Sequence, residues 1–251
     1  MIQLSDLDRT YQVGGRPVHA LRDIDLCIAA GEYVSIMGPS GSGKSTLLKT
    51  LAGLLPPLGG GFEFAGSPVD YRSEASLGRL YARIGVLYQD GALLNGLSLF
   101  ENVALPVRMH YPELPEAVVR DMVHAGLAQV EMAGSAEKYP SELSGGMRKR
   151  GALARALVLD PHVVFCDEPS SGLDPITSRL LDDLLLRLKE SFRMTLVVVT
   201  HELRSIERVA DRVLLLNDGG LRFAGDYADL AGSGDEFIRT FFLRKGHHDD
   251  A

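Results

Sequence analysis

The sequence predicts an α/β fold with three parts: an antiparallel β segment near the N-terminus, a parallel sheet, and an inserted helical segment. Apolar and polar residues alternate through residues 1–35 around Gly14 and Gly15, which predicts two antiparallel strands joined by a hairpin. After residue 161, wholly apolar strands alternate with helices, as in a parallel sheet covered on both faces. Between these parts, the apolar spacing of residues 98–158 becomes helical.

The most informative motif lies at residues 38–45, which read Gly-Pro-Ser-Gly-Ser-Gly-Lys-Ser and match the phosphate-binding loop G-x-x-x-x-G-K-[ST]. A predicted strand at 33–37 precedes this loop and a helical pattern follows it, which is the context that the motif requires. Glycine allows consecutive backbone N–H groups to form an anion cradle, and a helix N-terminus adds partial positive charge. We therefore expect the chain to bind a nucleoside triphosphate, with Lys44 on the phosphates and Ser45 on Mg²⁺.

Composition excludes several classes of protein. The 251 residues carry a formal charge of −7, which argues against a general nucleic-acid coat protein. We find neither a secretory signal nor an apolar run long enough to span a membrane. The basic stretch 148–150 with Arg155 is predicted to be the solvated face of a helix. Cys27 and Cys166 are predicted to be buried thiols in a reducing compartment.

Further elements follow from local pattern. Short strands are predicted at 61–65 and 84–88, and prolines are expected to break the helical insertion at Pro106, Pro112, Pro115 and Pro140. The remaining predicted elements are strands 163–166, 195–199 and 213–216 and helices 176–189 and 204–209. Ligands of such sheets gather at the carboxyl ends of the strands, where Lys44, Asp167 and His201 fall.

Two acidic residues end the apolar strand at 163–166. Asp167 can bind the Mg²⁺ of a bound nucleotide, or it can act only as a helix N-cap. Glu168 can face the γ-phosphate and position an attacking water.

A second anion-binding helix terminus is predicted at Ser144, Gly145 and Gly146, where Ser144 is a natural N-cap. One nucleotide needs only one phosphate cradle, so the economical explanation is two chains that complete each other's sites. Taken alone, the segment is equally consistent with a capped helix that binds nothing.

With these motifs in order, the chain resembles the nucleotide-binding subunit of ATP-binding-cassette (ABC) transporters over nearly its full length. The resemblance implies a P-loop NTPase (RecA-like) core with an N-terminal antiparallel β subdomain and an inserted α-helical subdomain. The motifs that carry it are the Walker A loop at 38–45, Tyr11, Gln89, the signature at 143–147, the Walker B strand at 163–167, the D-loop at 171–174 and His201.

The resemblance also implies residue roles. Glu168 and His201 would be catalytic, and Ser45, Gln89 and Asp167 would hold Mg²⁺. The residues implied to contact ATP are Tyr11, Gly38, Ser40, Gly41, Gly43, Lys44, Ser45, Thr46, Gln89, Ser144, Gly145, Gly146 and Asp174. Met147 departs from the glutamine commonest at that position, and activity is expected to survive this change.

Residues 89–94 and 100–106 are similar to the ATPases of Mla-type lipid transporters. This implies a homodimer formed through the ATP sites, a transmembrane permease, an MCE-domain lipid-binding protein, a small regulatory subunit and no nucleic acid. The expected location is the cytoplasmic face of the inner membrane, reached through the permease. Leu93, Leu94, Leu97 and Phe100 either form a groove for a permease helix or fill the core of the helical subdomain.

The expected organisation is an ATP-binding domain at 1–231, with the helical subdomain at 90–158, and a tail at 232–251. The alternatives are the ATPase of a lipoprotein-release or small-solute transporter and a soluble ABC protein of translation or DNA repair. A single copy of each motif and the lack of sustained heptads count against the soluble class.

Overall fold

A computed structural model describes residues 1–246 of the chain, and residues 247–251 at the end of the predicted tail lie outside this range. The described chain divides into two compact units. The first unit contains Met1–Val69 and the described residues from Val198 onward, and the second contains Asp70–Val197.

The described residues form both strands and helices. In chain order they are β1 (Ile2–Val13), β2 (Arg16–Ile28), β3 (Tyr33–Met37), α1 (Lys44–Leu51), β4 (Gly59–Phe64), β5 (Ser67–Pro68), α2 (Glu74–Tyr81), β6 (Ile84–Leu87), α3 (Leu99–His110), α4 (Glu116–Gln129), α5 (Gly145–Leu157), β7 (Val163–Asp167), α6 (Pro175–Phe192), β8 (Thr195–Val199), α7 (Leu203–Val209), β9 (Arg212–Asn217), β10 (Gly220–Gly225), α8 (Tyr227–Ala231) and α9 (Glu236–Gly246). Two short 3₁₀ turns, Ala133–Ser135 and Pro140–Glu142, precede α5.

The first unit contains the predicted N-terminal hairpin. β1 pairs antiparallel with β2, from Ile2 opposite Ile28 to Val13 opposite Arg16. The turn between them has positive φ at Gly14 and Gly15, as a tight hairpin requires. β4 and β5 extend this sheet in the order β2-β1-β4-β5. The antiparallel segment predicted from alternation is therefore confirmed.

The first unit also carries a parallel pair of strands. β3 pairs in parallel with β9, and β10 adds to the other edge of β9 in the antiparallel sense. All five residues of β3 are buried, which explains its apolar sequence. A core of Met37, Leu215 and residues of α7, α8 and α9 covers these strands.

The second unit combines parallel strands with most of the helices. β6 pairs in parallel with β7, with Leu87 opposite Cys166, and β8 follows β7 in the sheet order. α3 packs against α4 and α5. Ser98 begins α3 with a capping box, in which its hydroxyl accepts from the Glu101 N–H and the Glu101 carboxylate accepts from the Ser98 N–H.

One predicted helix break is wrong. Pro106 lies inside α3, whereas Pro115 directly precedes α4 and Pro140 begins a 3₁₀ turn. Proline removes one helical hydrogen bond and costs about 3 kcal/mol. The capping box and the buried residues Leu99, Val103 and Val107 hold α3 together across this position.

The prediction for the cysteines is half wrong. Cys166 is fully buried on β7, but Cys27 is exposed. Leu26 and Ile28 flank Cys27 on β2 and are buried, so strand alternation turns the Cys27 side chain outward.

Within residues 1–246, no helix combines the length and the apolar character that crossing a membrane would need.

Candidate nucleotide site

The predicted phosphate loop joins β3 to α1 in the first unit, as expected. Its backbone conformation requires glycine at two positions. φ is 104° at Gly43 and 150° at Gly38. A β-carbon at Gly43 would lie 2.2 Å from the Ala20 carbonyl oxygen, and one at Gly38 would lie 2.2 Å from that of Leu216. No larger residue fits at either position without a shift of the backbone.

The chemistry of this loop fits a phosphate group. α1 begins without a side-chain cap and without an acidic residue in its first turn, so its N-terminal N–H groups and partial positive charge suit an anion. Lys44 Nζ lies over the loop and donates to the carbonyl oxygens of Gly38 (2.9 Å) and Pro39 (2.8 Å). The buried hydroxyl of Ser42 has no hydrogen-bond partner among the described residues. Ser40, Gly41 and Ser45 are exposed, and Thr46 is half-buried.

Tyr11 and His201 belong to the same unit as the phosphate loop. Tyr11 pairs with Val18 on β2, the strand whose Ala20 carbonyl touches the loop. The Arg9 guanidinium carbon lies 5.1 Å from the centre of the Tyr11 ring. His201 is exposed and follows Thr200, whose N–H donates to the Ile36 carbonyl (3.2 Å) on the strand that leads into the loop.

The acidic pair lies at the end of β7 in the second unit. Asp167 is the last residue of the strand, Glu168 follows it, and both are half-buried. Glu168 has a φ of 47°, a conformation that is uncommon for a residue with a β-carbon. Such conformations are held by surrounding structure and cluster at functional sites.

The signature segment meets the D-loop in the second unit. Ser144 caps α5, because its hydroxyl accepts from the Met147 N–H (3.3 Å). A β-carbon at Gly146 would lie 2.7 Å from the Thr177 methyl, so α5 and α6 approach closely there. Asp174 caps α6 and accepts from the Thr177 hydroxyl and from the N–H groups of Thr177 and Ile176. These hydrogen bonds, first that of the Thr177 hydroxyl, lower the pKa of Asp174.

Gln89 is exposed two residues beyond β6, and its side-chain amide donates to the Ser171 hydroxyl (3.3 Å) in the D-loop segment. The structure thus brings Gln89, Glu168, the signature segment and Asp174 together in the second unit. The phosphate loop, Tyr11 and His201 occupy the first.

The prediction of a solvated basic face on α5 is partly wrong: Arg148 is exposed, but Lys149 and Arg155 form hydrogen bonds within the second unit. Lys149 is buried, with 5% of its surface exposed, and its ammonium donates to the carbonyl oxygens of Gln89 and Glu168. Arg155 donates to the carbonyl oxygens of Ala92 (2.6 Å) and Gly91 (2.9 Å).

The sequence contains a pattern that indicates the burial of Lys149. Lys149 precedes Ala152 and Leu153 by three and four positions, so helical periodicity places it on the buried stripe of α5. The run of three basic residues obscured this pattern.

The comparisons with known proteins define the class. The sequence profile of the ABC transporter family matches residues 21–171, so the chain belongs to this family.

Among curated proteins, the chain is 41% identical over 219 residues to the probable ribonucleotide transport ATP-binding protein mkl of Mycobacterium tuberculosis, covering 87% of this chain and 61% of that protein. It is 38% identical over 249 residues to the intermembrane phospholipid transport system ATP-binding protein MlaF of Haemophilus influenzae, covering 99% of this chain and 92% of that protein. It is also 37% identical to the methionine import ATP-binding protein MetN 2 of Pseudomonas aeruginosa, with coverages of 92% and 68%. The chain thus spans about three fifths of the mkl protein and nearly all of MlaF.

A solved structure supports the fold. The ATP-binding cassette MJ0796, determined as a dimer in a post-hydrolysis state bound to ADP and Pi, matches with a TM-score of 0.83 at 33% identity, covering 90% of this chain and 99% of that one. The α/β fold of the P-loop NTPase type and the resemblance to ABC ATPases, most of all to the Mla type, are confirmed.

Proposed function

We propose that this chain binds and hydrolyses ATP as the nucleotide-binding subunit of an ABC transporter, and that two copies dimerise through their ATP sites to drive a membrane permease. The observation that carries this proposal is a pair of helix N-termini without an acidic residue in the first turn, at Gly43–Lys44 and at Ser144–Gly146. Family membership supports the same conclusion. ATP needs only one phosphate cradle per site, so the second terminus serves the ATP bound to a partner chain.

The proposed roles of the site residues are divided between the two units. In the first, the phosphate loop 38–45 and Thr46 bind the phosphates, Tyr11 stacks on adenine, and His201 contacts the γ-phosphate. In the second, Glu168 acts as general base toward water, and Ser144, Gly145, Gly146 and Asp174 face the partner's nucleotide.

We also propose that Ser45, Asp167 and Gln89 hold Mg²⁺, which would neutralise phosphate charge. Residues 1–246 contain no cluster of three or more His, Cys, Asp or Glu side chains suited to a metal. The Ser45 hydroxyl, the Asp167 carboxylate and the Gln89 amide all offer oxygen, which Mg²⁺ prefers as a ligand and accepts together with nucleotide phosphates.

The proposed permease contact is a groove of about 370 Å³ in the second unit. Tyr88, Ala92, Leu105, Pro106 and Met109 are among the residues that line it. Met109 is 72% exposed, which leaves apolar surface for a partner helix.

Two roles were expected for the apolar residues near Gln89: a groove for a permease helix, or the core of the helical subdomain. The four residues Leu93, Leu94, Leu97 and Phe100 divide between these roles. Leu94 is 48% exposed, and Leu93 and Leu97 are half-buried, so they fit a contact surface better than a core. Phe100 is half-buried and its ring packs 5.8 Å from that of His124 on α4. Phe100 therefore contributes at least partly to helix packing.

For the cargo, we propose phospholipid or another lipid moved between membranes. We propose an MCE-domain protein and a small regulatory subunit as further partners. The proposed location of this chain is the cytoplasmic face of the inner membrane. The likeness to MlaF supports this, because it extends over 99% of the chain and 92% of that protein. We propose 1–231 as the ATP-binding domain, 90–158 as its helical subdomain and 232–251 as a tail.

The second candidate is a small-solute importer, which the likeness to MetN 2 favours. Isolation of the native membrane complex followed by mass spectrometry separates the two. Co-purified phospholipid with an MCE-domain protein supports the lipid proposal. A solute-binding protein with a bound amino acid contradicts it.

The catalytic proposal is tested with Glu168→Gln. Turnover should fall by about 10²–10⁴-fold, because the amide cannot accept a proton from water, while ATP binding is retained. The measurements are steady-state phosphate release and nucleotide titration, with Lys44→Ala as the comparison that should instead weaken nucleotide binding. Glu190→Gln, which changes an exposed carboxylate on α6, is the matched control. Wild-type turnover by Glu168→Gln would contradict the role of Glu168 as general base.

A further inference from the structure

A lysine is buried in the second unit beneath the acidic pair. Lys149 lies on α5, and only 5% of its surface is exposed. Its ammonium donates to the main-chain oxygens of Gln89 and of Glu168, the latter at 3.3 Å. Buried lysines are rare unless their charge is compensated, so this position calls for a physical reason.

The two carbonyl groups belong to adjacent ends of a parallel strand pair. Leu87, at the end of β6, is opposite Cys166 on β7. Gln89 and Glu168 each follow two residues later, where the chain leaves the sheet. Lys149 therefore ties together the two segments that carry the proposed metal-linking glutamine and the proposed general base.

The backbone is unusual at one attachment point, Glu168, and close to the other, Gln89. Glu168 has a φ of 47°, and in the segment after Gln89 the residue Ala92 has a φ of 48°. Residues with a β-carbon adopt this region only when their surroundings enforce it. Lys149 supplies such a restraint at Glu168, and Arg155 supplies another at Ala92.

The charges around Lys149 explain how a cation can remain there. Burial lowers the pKa of Lys149, whereas the carboxylates of Asp90 and Glu168 act in the opposite direction. A hydrogen bond from a charged donor is also stronger than one between neutral groups.

We propose that Lys149 is a positioning residue for ATP hydrolysis: from the signature helix α5 it fixes the main chain of Gln89 and Glu168 in one arrangement. This inference rests on the proposed function, because Lys149 acts only through the roles proposed for Gln89 and Glu168. It assigns no chemistry to Lys149 itself. The Gln89 side chain extends the same connection to Ser171. A displacement of α5 when the signature segment engages a nucleotide would therefore be transmitted to both residues.

Lys149→Met tests the proposal, because it keeps an unbranched side chain of nearly the same length and removes its charge and donors. We expect kcat for ATP hydrolysis in the full chain to fall by about 10- to 100-fold, as a small misplacement of a catalytic group does. KM and the Kd for ATP should stay within about twofold, because Lys149 lies outside the phosphate loop. Lys149→Arg, which retains a cation with N–H donors, should be faster than Lys149→Met.

Controls separate positioning from a general loss of structure. Lys138→Met removes an exposed lysine from the same unit and should leave kcat unchanged. Melting temperatures of all variants show whether each is folded. If Lys149→Met does not fold, Lys149→Gln replaces it, because a shorter neutral amide cannot bridge both carbonyl groups, and the same fall in kcat is expected.

A double mutant distinguishes failure of this inference from failure of the proposed function. In a Glu168→Gln background, Lys149→Met should lower the residual rate by less than about twofold, because the two residues act as one unit. Three results would overturn the inference alone. They are an unchanged kcat in Lys149→Met, an equal fall in kcat in the wild-type and Glu168→Gln backgrounds, and a Lys149→Arg variant that is no faster than Lys149→Met. Wild-type turnover in Glu168→Gln would instead overturn the proposed function.

Discussion

Glu168 shows how a single residue combines strain with chemistry. Its left-handed backbone costs of order 1–3 kcal/mol, and the structure retains it directly after β7, whose residues before Asp167 are apolar. The sequence could predict the carboxylate at the strand end, because polar residues are unexpected there. The support from Lys149 was missed because a lysine between two arginines resembles solvated surface. Helical spacing indicates that Lys149 is buried, but the carbonyl groups that its ammonium contacts depend on how α5 packs.

The two cysteines give a prediction at the residue scale. Burial raises the pKa of the Cys166 thiol to about 12, so this thiol stays protonated at pH 8 and inaccessible to reagents. Cys27 is exposed and should react. A chromogenic disulfide reagent should therefore titrate about one thiol per folded chain and both in denaturant, with Cys27→Ser as the control that abolishes the fast reaction. Rapid modification of two thiols in the folded protein would show that the burial of Cys166 is wrong.

At the scale of elements, α3 shows a proline tolerated inside a helix. The expected break at Pro106 followed from the missing N–H, but α3 runs from Leu99 to His110. Rules based on local sequence give the cost of a proline inside a helix correctly. They do not include the tertiary contacts that stabilise α3. Asn102 is one such contact: it is fully buried, its amide oxygen accepts from the Leu94 N–H (2.7 Å), and its amide nitrogen donates to the carbonyl groups of Leu94, Leu97 and Ser98.

Asn102→Ala should therefore destabilise the element that it anchors. We expect the free energy of unfolding to fall by about 2–4 kcal/mol, because the substitution leaves a cavity and several backbone groups of the 94–98 loop without their partner. Urea denaturation followed by circular dichroism measures this change. Asn95→Ala, at an exposed position of the same loop, should change stability by less than about 0.5 kcal/mol. Equal stability of the two variants would contradict the anchoring role of Asn102.

At the scale of the whole molecule, the order of motifs was sufficient to predict the family, because each motif serves one step of nucleotide chemistry at a fixed place in the fold. The antiparallel hairpin and the parallel strands were predictable from periodicity alone. The cargo was not, because lipid and solute transporters share the same cassette: MlaF and MetN 2 are 38% and 37% identical to this chain.

The central claim is that one chain holds only half of each working ATP site. The most direct test measures the rate of ATP hydrolysis per chain over a dilution series, with the oligomeric state at each concentration determined by light scattering. We predict that the rate per chain falls in proportion to concentration once dimers dissociate, because a monomer lacks the partner's signature segment. A constant rate per chain, in samples shown to be monomeric, would contradict the claim.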